Sequence, residues 1–111
     1  MTLEEAQERA LGGIGTALET AAEARARAEE MDERRKQVKA AMIVHFRDEG
    51  SGIAEAEARA LESKAYKDAA SEWIAANYDH RRTEAKAEAQ KLAFEAWRTA
   101  NATARAQMGL R

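Results

Sequence analysis

Asp48-Glu49-Gly50-Ser51-Gly52 is the one clear interruption in this chain, and its reading decides the fold. Two glycines supply positive φ at little cost, which a helix end needs if the chain is to turn back. The loop divides 111 residues almost in half, and both halves read as helix. Alanine, Glu, Lys and Arg dominate and proline is absent, a composition that favours helix at almost every position. The 45% hydrophobic content overstates the apolar supply, because 28 of those residues are alanine.

Before the loop, Thr2 with Glu5 and Thr16 with Glu19 each fit a capping box. Between them lies Leu11-Gly12-Gly13-Ile14-Gly15, whose glycines each cost a helix interior about 1 kcal/mol. The sequence therefore predicts a short helix and glycine joint over 1–15, and a single helical-hairpin domain over 16–111 that opens with a helix from Thr16 to Asp48. A phosphate-binding reading of these glycines lacks the Lys-Ser/Thr ending and a preceding strand. After the loop, Ile53 to Glu62 reads as a short helix, and Ser63 is placed to cap a last helix from Lys64 to Met108. Whether the chain bends at Ser63 or continues is left open.

Heptad spacing gives the last helix a seam of Tyr66, Trp73, His80, Ala87, Phe94, Asn101 and Met108, with Ala69, Ala76, Thr83, Gln90, Trp97 and Ala104 between them. The first long helix offers Ile14, Ala17, Ala21, Ala24, Ala28, Met31, Arg35, Val38, Met42 and His45. Folded back antiparallel about the loop, His45 would lie near Tyr66, Val38 near Trp73, and Ala17 with Ile14 near Phe94 and Trp97. Large side chains would then enter space left by small ones. Residues 1–33 carry a net charge of −6 and residues 81–111 one of +4, so the same fold brings opposite charges together. The expectation is an all-α antiparallel long-helix hairpin, coiled-coil-like, with a short helix at the turn. So thin a core usually needs a partner, and self-association is expected, most simply a dimer forming a four-helix bundle.

Catalysis is not expected. Without cysteine there is no disulfide scaffold, thiol nucleophile or thiolate zinc site. His45 and His80 fall on different helices, many turns apart in the assumed register, and read as polar residues that help to set it. Glu19 with Glu23 and Glu84 with Glu88 are neighbours on solvated helix faces, with nothing apolar to desolvate either carboxyl. No metal and no cofactor is expected. No apolar run approaches the roughly 20 residues of a membrane span, and the N-terminal residues do not form a signal peptide.

Three stretches are candidates for contact. Arg34, Arg35, Lys36, Lys39 and Arg47 form a basic patch with no acid between residues 34 and 47, which nucleic acid would favour. Against that stands a net charge of −2 for the whole chain. Asp48, Glu49, Glu55, Glu57 and Glu62 make the tip acidic. Ile43, Val44 and Phe46 extend beyond the seam as an apolar patch, either a contact for another chain or a surface covered by Ile53, Leu61 and Tyr66.

Gly50-Ser51-Gly52-Ile53-Ala54-Glu55-Ala56-Glu57-Ala58-Arg59-Ala60, followed by Ser63-Lys64-Ala65-Tyr66, resembles the middle of a loose family of small helical proteins of tailed phages and prophages. Glu95-Ala96-Trp97-Arg98-Thr99-Ala100-Asn101-Ala102-Thr103-Ala104-Arg105 is similar to that family's C-terminal portion. The resemblance implies a small accessory protein in the cytoplasm of a bacterial host, encoded near recombination or replication genes, and it brings no catalytic motif. The leading expectation is a non-catalytic protein that binds a protein partner in that apparatus. Two alternatives are an inhibitor of a host defence complex acting through an acidic face, and direct binding of single-stranded DNA through Arg34–Arg47.

Overall fold

The computed structural model describes residues 2–109. Among them the chain forms three helices and no strand: α1 (Leu3–Asp48), α2 (Ile53–Glu62) and α3 (Lys64–Gly109). The fold is the all-α hairpin with a short helix at its turn. It divides into two compact units, each built from a stretch of α1 and a stretch of α3: Met1–Ala21 with Arg81–Arg111, and Ala22–His80.

α1 opens on a complete capping box. The Thr2 amide donates to the Glu5 carboxylate at 3.2 Å, and the Glu5 amide donates to the Thr2 hydroxyl at 3.1 Å. The second box is not formed, and the helix break expected at the glycine cluster does not occur: α1 is one helix of 46 residues. Thr16 donates its hydroxyl back to the Gly12 carbonyl at 3.1 Å, bridging the glycines from within the helix. Ala10, Ile14 and Ala17 are half-buried there, and this side-chain burial offsets the glycine cost.

The turn forms as its glycines require. Gly50 adopts φ +102, the Ser51 amide donates to the Phe46 carbonyl and the Gly50 amide to the Arg47 carbonyl, both at 3.0 Å. This bond pair closes a helix on a left-handed residue. The chain bends at Ser63, whose backbone is extended (φ −67, ψ 147). Ser63 serves both flanking helices, donating its hydroxyl to the Ala60 carbonyl at 2.6 Å and accepting the Tyr66 amide at 3.2 Å.

In the unit Ala22–His80, Ala24, Ala28, Ala69 and Ala76 are buried along the facing stripes of α1 and α3. Arg34 reaches Glu72 at 3.5 Å, and Ala28 and Asp32 share a cleft with Trp73 and Asn77. Trp73 thus lies beside Asp32 and Arg35, which precede Val38, its expected neighbour, by six and three residues, a displacement of about one to one and a half helical turns. The cause is α2. It buries Ser51, Ala56 and Ala60 at the turn and lays the Arg59 guanidinium 4.2 Å from the centre of the Phe46 ring. The last turns of α1 therefore meet α2, and His45, expected beside Tyr66, is exposed and bonded to Glu49 at 3.2 Å.

In the other unit the stretches are again antiparallel, with Ala6, Ala10 and Gly13 set against Trp97, Phe94 and Gln90. Ile14 lines the same groove as Phe94 and Trp97, as expected, together with Ala10, whereas Ala17 is not part of that lining. Ala21, Thr83 and Ala87 are buried here. Asn101 is half-buried, and its amide nitrogen is enclosed without a hydrogen-bond partner among the described residues. The described core is alanine with Ser51 and Thr83, and no large side chain is fully buried.

Candidate functional site

The turn gathers the acidic and apolar candidates. Asp48, Glu49, Glu55, Glu57 and Glu62 are all exposed, but they are not equivalent. Glu49 pairs with His45 at 3.2 Å and with Arg59 at 3.6 Å, and Glu62 with Lys67 at 3.3 Å. Asp48, Glu55 and Glu57 make no ion pair among the described residues. Ser51 locks the base of this surface: its hydroxyl accepts from Arg59 at 2.9 Å, and its carbonyl accepts from Arg47 at 3.4 Å. Arg59 is thus held over Phe46 by a hydroxyl and a carboxylate together.

The apolar patch divides. Ile43 and Phe46 are half-buried, whereas Val44 is 59% exposed. The cover on Phe46 is Arg59. Of the candidates for that role, Ile53 and Leu61 are 66% and 42% exposed, and Tyr66 is half-buried and accepts a hydrogen bond from Arg35. The exposure of Ile53 and Leu61 is the physical consequence of alanines Ala56 and Ala60 occupying the inward face of α2. Val44, Ile53 and Leu61 therefore add open apolar surface to the helix ends that carry Asp48, Glu55 and Glu57.

The basic stretch is largely committed within the molecule. Arg35 donates to Asp32 at 2.7 Å and to the Tyr66 hydroxyl at 3.2 Å, and stands 4.6 Å from the centre of the Trp73 ring. Lys36 pairs with Asp32 at 3.3 Å and with Glu33 at 3.7 Å, while Arg34 pairs with Glu72. The Arg35 hydrogen bond holds the Asp32 carboxyl below its ordinary value of 3.8, against partial burial and with help from Lys36. Asp32 and the Tyr66 hydroxyl in turn hold the Arg35 guanidinium more firmly protonated than usual. Lys39 is half-buried, and Arg47 faces the Ser51 carbonyl. The signal for this neutralisation was in the sequence: Asp32 precedes Arg35 and Lys36 by three and four residues, the spacing of neighbours on a helix face.

A second concavity lies within the unit of Met1–Ala21 and Arg81–Arg111. Ala6, Ala10, Gly13 and Ala93 leave an open groove of about 410 Å³ beside Phe94 and Trp97, whose rings are stacked with centres 5.9 Å apart. Ile14, expected beside these rings, also lines the groove, while Ala17 does not; the groove itself does not follow from the seam. Among the described residues no group of three or more His, Cys, Asp or Glu is arranged to hold a metal ion. No described helix is long and apolar enough to cross a membrane.

No protein family, no curated protein and no solved structure matches this chain.

Proposed function

We propose that the protein acts without catalysis, by protein–protein contact through the turn of its hairpin, as an accessory protein of a phage or prophage recombination or replication apparatus. The observation that carries this reading is the division among the tip acids. Asp48, Glu55 and Glu57 have no ion-pair partner among the described residues and sit on helices that also expose Val44, Ile53 and Leu61 near the turn. Apolar anchors with adjacent unpaired carboxylates fit a partner surface that is apolar at its centre and basic at its rim. The phage setting rests on the resemblance of residues 50–66 and 95–105.

The same unpaired acids favour a second reading, in which the basic surface belongs to a nucleic-acid-binding complex of host defence and the tip occupies its groove. Direct single-stranded DNA binding is less well supported, because Arg34, Arg35 and Lys36 already face carboxylates.

A photo-crosslinking residue at Ile53, compared with one at Ala85 on α3, tests the reading in the native host cell. The expected result is a discrete adduct with another protein from position 53, lost when Glu55 and Glu57 are changed to Lys. Equal adducts from both positions, or adducts indifferent to the charge reversal, would overturn it. The identity of the captured protein separates the recombination reading from the defence reading.

A further inference from the structure

We propose that a second copy of this chain docks on the groove of the unit Met1–Ala21 with Arg81–Arg111, the copies meeting groove to groove with α1 of each against α3 of the other. This goes beyond the tip contact and uses none of its residues. The groove supplies the shape. Ala6, Ala10, Gly13 and Ala93 let another helix approach closely, and Phe94 and Trp97 stand half-exposed beside them. Leu3, Leu11, Leu18 and Leu92 in the same unit remain roughly half exposed.

Surface area argues for a partner of comparable size. The chain exposes 8234 Å² at a mass of 12.3 kDa, whereas a folded monomer of that mass exposes roughly 6,100 Å². The excess is larger than the roughly 800 Å² that each partner contributes to a standard interface. The core offers no internal alternative, since no large side chain is fully buried among the described residues.

Charge selects the occupant and its pairing. The α1 stretch carries Glu4, Glu5, Glu8 and Glu19 against Arg9 alone, while the α3 stretch carries Arg81, Arg82, Lys86, Lys91, Arg98 and Arg105 against Glu84, Glu88 and Glu95. A second copy presents both signs at once. Setting α1 against α3 of the partner joins acid to base on both sides of a two-fold axis. The alternative, α1 on α1 and α3 on α3, places like charges together.

Sedimentation equilibrium of the full chain, from micromolar to sub-millimolar concentration, tests the proposal. The expected mass is twice that of the 12.3 kDa chain. Ala93→Glu places a carboxylate in the groove at an exposed position and should give the monomer mass with unchanged helicity by circular dichroism. Gly13→Leu is the second disrupting variant: a Cβ there stands in ordinary contact with the Gln90 side-chain oxygen at 3.9 Å, the rest of the leucine adds bulk at the groove, and unchanged helicity checks that the hairpin is kept. Gly12→Ala, beside it but with open space around its Cβ, should remain dimeric. A monomeric wild type, an assembly larger than two, or a dimer that survives both Ala93→Glu and Gly13→Leu would overturn the proposal. None of these outcomes alters the crosslinking result at Ile53, so the two readings fail separately.

Discussion

The Arg35 guanidinium lies 4.6 Å from the centre of the Trp73 ring while donating to the Tyr66 hydroxyl at 3.2 Å, so one α1 side chain fixes two aromatic residues of α3. With Asp32 completing the set, this cluster pins the helix register where the alanine seam alone would not. Arg35→Met keeps the aliphatic stem but loses the hydrogen bonds and the cation–ring contact. It should lower stability by about 1–2 kcal/mol in urea denaturation followed by circular dichroism. Arg35→Lys should restore only part of this, because a lysine cannot reproduce the planar fork. An unchanged midpoint for both variants would contradict the role assigned to the cluster.

Acid should loosen the same cluster. The folded-state pKa of Asp32 lies below 3.8, so folding favours its ionised form. Its contribution is fully present above the unfolded value and is lost as pH falls through the lower folded value. In urea titrations, Asp32→Asn should therefore be less stable than the wild type near neutrality, and the difference should shrink below pH 3.8. A difference independent of pH would show that the carboxylate charge is not what matters.

The glycines should answer in opposite directions. Gly50 holds φ +102, so Gly50→Ala should cost about 1–2 kcal/mol. Gly12 and Gly15 lie inside α1 with open space where a Cβ would stand, so Gly12→Ala and Gly15→Ala should each stabilise by up to about 1 kcal/mol. Thermal denaturation of the three variants tests this, and stabilisation by Gly50→Ala would contradict the turn geometry.

Asn101 offers a simpler test of the seam. Its enclosed amide nitrogen has no partner among the described residues, and Asn101→Leu removes that group at similar volume. The melting temperature should rise, for a gain of about 1 kcal/mol. A fall would mean that the amide is satisfied in solution.

Much of this fold was legible as periodicity. Every seam position from Tyr66 to Asn101 is buried or half-buried, as is every one from Ile14 to Met42. The failures share a cause. A seam of Ala21, Ala24, Ala28, Ala69, Ala76 and Ala87 has almost no shape to distinguish one register from the next, so the pairing is decided elsewhere. It is decided by α2, which occupies the end of α1, and by the contacts of Arg35, neither of which follows from counting apolar residues. Local propensity favours a break at Gly12–Gly15, whereas α1 runs through these glycines with Ala10, Ile14 and Ala17 half-buried. At the candidate site, composition located the tip acids and the basic stretch. Their division into paired and unpaired groups depended on side-chain reach across the turn, as in Arg59 to Glu49 and Ser51.

If the molecule meets its partner through the tip and not through its basic stretch, that stretch should not bind nucleic acid. The most direct measurement is fluorescence anisotropy of labelled single-stranded DNA titrated with the protein at low and high salt. With Arg34, Arg35 and Lys36 already paired to carboxylates, the account predicts no binding at low salt. Tight binding that weakens steeply as salt is raised, and is abolished by charge reversal of Arg34, Arg35 and Lys39, would mean that counterions are released from phosphate and would contradict the account.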